Sequence, residues 1–301
     1  MKEPTPAQVK VLGSVQNQSV HLAALNATAT EHQQRTGQRP PPAWYAEFHH
    51  HAVNREALTE AALAAAVPRA WIDHVRERGE RGISWHPDLY LRVPEPVEWD
   101  RVLGGLDRDV QRLREWTALD ATHHPQPGTA DGTGLDANLR ALHSRTVGVT
   151  NLFGLTAGQG RQLWGTAQDW VQGSVAMLDG VPAEGIAQRW QQAVRTDTSG
   201  YIRQATALAE AGIPIDTAAA LPRLENLRAR VGAAVAPPQP LFQLALTAAE
   251  QIEAAVDAAN LSYSPEADLE SAAAPPVFSD PEGADPWTEI RILPAADGME
   301  R

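Results

Sequence analysis

Apolar residues recur at spacings of three and four along most of this chain, and that spacing predicts a series of helices. Over residues 5–36, Val9, Val11, Leu12, Val15, Val20, Leu22, Leu25 and Ala29 line one face, opposite glutamine, asparagine, serine and threonine. One long helix ending at Gly37 is expected, because Arg39-Pro40-Pro41-Pro42 is a stiff turn that cannot continue it. A second helix should start near Ala43 with Trp44, Tyr45 and Phe48. Residues 54–85 then read as two short helices broken at Val67-Pro68. Leu58, Ala61, Ala62 and Ala65 form a small-residue face on the first, and Trp71, Ile72 and Val75 a stripe on the second. Pro68 suits the first turn of a helix, and Gly79 is the expected stop.

Further along, residues 79–98 hold three prolines and two glycines, which predicts an extended connector pinned by Trp85, Tyr90 and Leu91. Helical spacing returns over 97–119 through Val102, Leu106, Val110, Leu113 and Trp116, with a face of alternating Asp and Arg that reads as solvated. Residues 120–135 carry two prolines, three glycines and no apolar cluster, so a domain boundary is placed there. Four helical segments follow, at 136–150, 156–178, 183–211 and 217–234. Leu163, Trp164, Trp170 and Met177 share one face, and Ile186, Trp190 and Val194 the next. Pro237-Pro238 and Pro240 precede a last alanine-rich helix over 241–261.

The expected architecture is therefore all-α: a multi-helix bundle in two parts with a disordered acidic C-terminal tail. The parts are an N-terminal helical domain (1–119) containing the 54–85 hairpin, a linker (120–135), a C-terminal helical domain (136–262) and the tail (263–301). Abundant alanine and sparse β-branched residues favour helix over sheet, and 301 residues suffice for one large or two ordinary domains, each with its own core.

Composition narrows the chemistry. There are no cysteines, which excludes disulfides, thiolate catalysis and cysteine-ligated zinc or iron–sulfur centres. The opening residues MKEPTPAQVKVLG lack the pattern of a signal peptide, and no stretch approaches the ~20 apolar residues of a membrane span. A cytoplasmic location without membrane contact is the expectation. The net charge of −12 argues against indiscriminate nucleic-acid binding. It is uneven, however: residues 264–301 hold nine acids against Arg291 and Arg301. That acidic, proline-rich composition is the basis for expecting disorder.

Candidate motifs mostly fail on spacing. His49-His50-His51 points in three directions on a helix and cannot share one ion. Asp131-Gly132-Thr133-Gly134 lacks the regular oxygen ligands of a calcium loop. Gly154 to Arg161 lacks the lysine of a phosphate loop. Asp120 near His123 and His124 sits in a linker without rigid support. No catalytic residue, metal ligand or cofactor is expected, and the chain is read as non-enzymatic.

One constellation remains. The 54–85 hairpin matches a helix-turn-helix in outline, with Ala66 where such turns usually carry glycine. Its second helix would then offer Arg69, Asp73, His74, Arg76, Arg78 and Arg81 to DNA. Ala70-Trp71-Ile72-Asp73, then Gly79, Gly82 and Trp85, then a proline connector into an arginine/aspartate helix also carry a resemblance. Over about residues 55–120 the chain resembles uncharacterised helical proteins of actinobacterial conjugative plasmids and other mobile elements. That resemblance implies a genomic setting and assigns no functional residue. The leading expectation is an accessory or scaffold protein acting through protein partners. The alternative is a DNA-binding regulator or DNA-transfer accessory protein.

Overall fold

The computed structural model describes residues 3–86, 89, 91, 99–122 and 131–236, and the regular structure among them is helical throughout. The all-α expectation holds. The last expected helix (241–261) and the acidic tail (263–301) lie outside the described residues.

Helix α1 (Pro6–Thr36) opens on a capping box: the Thr5 hydroxyl accepts from the Gln8 N–H, and Gln8 Oε1 accepts from the Thr5 N–H at 3.0 Å. It ends at Gly37, whose φ of 69° is the left-handed cap the sequence led one to expect. Helix α2 (Pro42–Ala64) starts directly after the proline turn and runs unbroken, so the segment from Ala43 and the first arm of the hairpin are one helix. Helix α3 (Arg69–Glu80) follows the break at Val67-Pro68.

The break has a specific geometry. The Val67 N–H bonds the Ala62 carbonyl at 2.9 Å and the Ala66 N–H bonds Leu63 at 3.2 Å, the paired closure of a Schellman turn. Such closure requires a left-handed residue, and Ala66 supplies it at φ 60°, the one non-glycine with positive φ among the described residues. A Cβ in that conformation costs about 1 kcal/mol. After glycine's entropic cost of about 0.5–1 kcal/mol is counted, Ala66→Gly is therefore expected to stabilise the protein by at most about 0.5 kcal/mol, as a slightly higher urea midpoint at unchanged m.

The stop of α3 lies three residues later than expected. Gly79 is buried inside the helix, and Gly82, at φ 74°, makes the cap: its N–H bonds the Gly79 carbonyl at 2.8 Å, and the Ile83 N–H bonds Arg78 at 3.1 Å. Gly79 serves packing instead. A Cβ built on it would stand 2.4 Å from the Gln16 carbonyl oxygen and 2.5 Å from Ser19 Cβ, so α3 crosses α1 at backbone contact.

The remaining helices are α4 (Trp99–Thr122), α5 (Asp131–Phe153), α6 (Ala157–Trp164), α7 (Ala167–Ala176), α8 (Ala183–Arg195), α9 (Ser199–Glu210) and α10 (Leu224–Val235). Three expected segments are shorter or divided. The 156–178 segment splits where Gly165 (φ 82°) ends α6 and a Thr166/Asp169 capping box starts α7. The 183–211 segment splits at 196–198, where buried Asn138 of α5 donates to the carbonyls of Ala193, Val194 and Thr196 and accepts from the Thr198 hydroxyl at 2.7 Å. The 217–234 segment becomes helical only at Leu224, after Pro222. Asn151 holds the irregular stretch before it through the Pro214 and Thr217 carbonyls, both at 2.9 Å.

The expected boundary at 120–135 does not separate two cores. Helix α4 runs to Thr122, α5 begins at Asp131, and a continuous apolar cluster joins Leu12, Trp71 and Val75 to Leu113, Leu142, Trp170 and Leu208. Residues 1–238 form one compact unit, and the contact division of the chain falls after α10. Within that unit α1 packs on both α2 and α3, α4 on α5, α7, α8 and α10, and α9 on α2 and α5.

Candidate functional site

The hairpin helices are arranged around α1 rather than against each other. Trp71, Ile72 and Val75 are at most 1% exposed, as their spacing predicts. Of the six residues read as a DNA surface, Arg69 and Arg81 are exposed, while Asp73, His74, Arg76 and Arg78 are half-buried. Arg76 is paired with Asp73 at 3.1 Å and Glu80 at 3.9 Å, and Glu80 also meets Arg55 of α2 at 3.3 Å. Arg81 Nε donates to the Glu77 carbonyl. Arg78 falls on the inner flank, three residues after Val75. The outward face of α3 thus alternates arginine with Asp73, Glu77 and Glu80, and the six residues do not gather into one positive stripe.

A partly buried polar cluster lies elsewhere, and sequence reading missed it. Asp109 of α4 and Arg145 of α5 are paired, with each side chain only 12% exposed. Arg145 Nε donates to Gln204 Oε1 of α9 at 3.0 Å, and Gln204 Nε2 donates to Glu60 of α2 at 2.8 Å. Arg112 donates to the Tyr201 hydroxyl alongside. Burial pushes the Arg145 guanidinium below its ordinary range, with Tyr201 and Glu60 opposing that shift. The signal was in the sequence. Asp109 sits three residues after Leu106 and four before Leu113, on the stripe read as core. The charged face of 97–119 is therefore not simply solvated: Asp109 and Glu115 pair with Arg145 and Arg189 of α5 and α8, and Asp120, just past it on α4, pairs with Arg228 of α10.

Two depressions open near these elements. One, of about 430 Å³, lies between α4 and α10 and is lined by Asp120, Ala121, Arg228 and Val235. Asp120 stands on a helix, held by Arg228 at 3.2 Å, and Arg228 also meets Asp136 at 2.5 Å. His123 and His124, the other members of the acid–base cluster considered from sequence, lie outside the described residues. The second depression is a groove of about 320 Å³ between α2 and α9. Its floor is Val53, Ala57 and Ala207. Its rim carries His49, His50, Arg203 and Glu210, beside Ile202 at 53% exposure. Asn54 donates to the Glu210 carboxylate within it. An apolar floor with both signs of charge at the rim suits amphipathic side chains better than a small anion.

The histidine run behaves as three separate residues. His49 and His50 are exposed, whereas His51 turns to α1, bonding Gln18 at 2.6 Å and stacking on His21 at 5.0 Å. Among the described residues no three His, Asp or Glu side chains form a metal-binding group. No described helix is long and apolar enough to cross a membrane. The glycines of the 154–161 run serve the fold: Gly154 caps α5, and Gly160 packs against the Ala220 backbone. The backbone of Asp131-Gly132-Thr133-Gly134 is the first turn of α5, not a loop.

A buried histidine gives this unit an expected pH response. His143 of α5 is 7% exposed and contacts the Pro222 carbonyl at 3.2 Å. Desolvation lowers its pKa, outweighing the opposing pull of the Pro222 carbonyl and of Glu225. A lowered histidine pKa means the unfolded chain binds the proton first, so stability is complete above the ordinary imidazole value of about 6.5 and falls as pH drops through it. Urea unfolding at pH 7.5 and pH 5 should show a smaller acid loss in His143→Gln than in the parent.

Comparison of the chain with family models, with curated proteins and with solved structures returns no match.

Proposed function

We propose that this chain is a non-enzymatic helical accessory or scaffold protein of the cytoplasm that works through protein contacts made by its α2–α9 face. The observation carrying this reading is the contrast between two surfaces. The outward face of α3 is charge-compensated over a buried inner stripe, while the groove beside Ile202 leaves apolar surface open between charged rims. The resemblance of residues 55–120 supports a mobile-element setting for it. DNA reading by α3 is the alternative, and it requires arginines free to meet phosphates.

Two experiments test the reading. A photo-crosslinking amino acid at Ile202, in the producing cell, should give a discrete protein adduct; the absence of any would count against it. Fluorescence anisotropy of labelled duplex DNA should show no salt-sensitive binding by the full chain. Binding that weakens with salt and again in Arg69→Ala/Arg76→Ala would put the DNA reading first.

A further inference from the structure

Part of α1 and α2 stands clear of the core. The last buried residue of α1 is Leu22 and the first of α2 is Asn54, and every residue between them is half-buried or exposed. The two helical stretches hold each other through their inner sides. Trp44 Nε1 donates to the Leu25 carbonyl at 2.9 Å and His51 meets Gln18 and His21 across the pair, while within α2 the Trp44 ring stacks on Phe48 at 5.0 Å. The outer side of α2 is more open: Tyr45, its ring edge-on to Trp44 of the same helix at 4.9 Å, His49, Ala52 and Glu56 recur there at helix spacing, with Tyr45 49% exposed, and Val53 at the edge of this face lines the α2–α9 groove. Helices draw most of their stability from packing such a face.

Charge indicates what covers it. Between residues 23 and 53, Glu31 and Glu47 cancel Arg35 and Arg39, so the whole net charge of −12 lies elsewhere in the chain. Two copies would repel through the rest of their surfaces but not here. The charge is also polarised along the arm: Arg35 and Arg39 outweigh Glu31 at its tip, whereas Glu47 and, on the outer face at its base, Glu56 are acidic, the adjacent Arg55 being turned to Glu80 at 3.3 Å. An antiparallel arrangement sets Arg39 of one copy against Glu56 of the other, whereas a parallel one sets like against like.

We infer that a second copy of this chain covers the outer face of α2, the two α2 helices running antiparallel about a two-fold axis near His49. This deepens the protein-contact reading and rests on it, since it names the partner. The pairing is isologous, so each charge contact occurs twice. The overlap, Pro42 to Glu56, spans about 22 Å of helix, which makes a small interface that dissociates on dilution.

Sedimentation of the full chain over a concentration series tests this. The mass should rise from 32.5 kDa towards twice that value. Arg39→Glu should weaken association about tenfold, because like charges then face each other at both symmetric contacts, and adding Glu56→Arg should restore it. Tyr45→Glu should abolish it while leaving the far-UV spectrum unchanged. The chain has no cysteine of its own, so His49→Cys should give a disulfide-linked dimer under mild oxidation. A monomer at every concentration overturns the inference. So does a dimer indifferent to Arg39→Glu and Tyr45→Glu, or one that His49→Cys fails to link. If the chain is monomeric and the Ile202 probe captures a different protein, this inference falls and the protein-contact reading stands.

Discussion

Gly79→Ala is expected to lower the free energy of unfolding by about 3 kcal/mol, the upper end of ordinary overpacking costs. Two effects oppose each other at this residue. Alanine is the better helix former by about 1 kcal/mol, so on propensity alone the substitution would stabilise α3. The added Cβ, however, would lie 2.4 Å from the Gln16 carbonyl oxygen and 2.5 Å from Ser19 Cβ. One of those neighbours is backbone and the other is fixed to it, so neither can swing away. Helix α3 must retreat from α1, which strains the hydrogen bond from Gln16 Nε2 to the Ile83 carbonyl, 2.7 Å in the native fold. Packing strain therefore outweighs propensity. Gly82→Ala is the control: no atom lies within 4 Å of its Cβ position, and only the left-handed φ of 74° is penalised. Its expected loss is about 1 kcal/mol. Urea midpoints for the two variants, at equal m, separate steric from conformational cost.

Asp109→Ala should cost at least as much by a different route, about 3 kcal/mol or more. It leaves the Arg145 guanidinium, 12% exposed, without its counter-charge in a site already costly for a cation. The neighbours cannot compensate. Gln204 engages only the Nε of Arg145 and is itself tied to Glu60. The paired replacement Asp109→Leu/Arg145→Met should recover most of the loss, because two apolar side chains need no partner there. A double variant as unstable as Asp109→Ala would show that the ion pair itself, and not relief of a buried charge, holds α4 to α5.

The local rules of helix chemistry were written plainly in the sequence. The apolar stripe over 5–36 marked α1, Gly37 its end, and Arg39 to Pro42 the turn after it. The stripe of Trp71, Ile72 and Val75 announced the face that α3 buries. These signals act within one or two turns of helix, so they can be read from neighbours in sequence alone. The breaks at Gly165 and at 196–198 were harder to see. The first rests on a left-handed glycine inside an apparently continuous pattern. The second is fixed by Asn138, about sixty residues away, which no local pattern reveals.

Fold class, the buried stripe of α3 and the absence of cysteine chemistry were thus determined by sequence alone, whereas Leu163, placed by its spacing on a buried face, is 41% exposed. Tertiary structure decided three other things: that Gly79 is a crossing point and not a stop, that Asp109 belongs to Arg145 and not to solvent, and that helices on both sides of 120–135 share one core. The reason is physical. Periodicity records that a face is covered but not what covers it. A close approach, an ion pair or a shared core is a property of two segments together, fixed only when the helices meet.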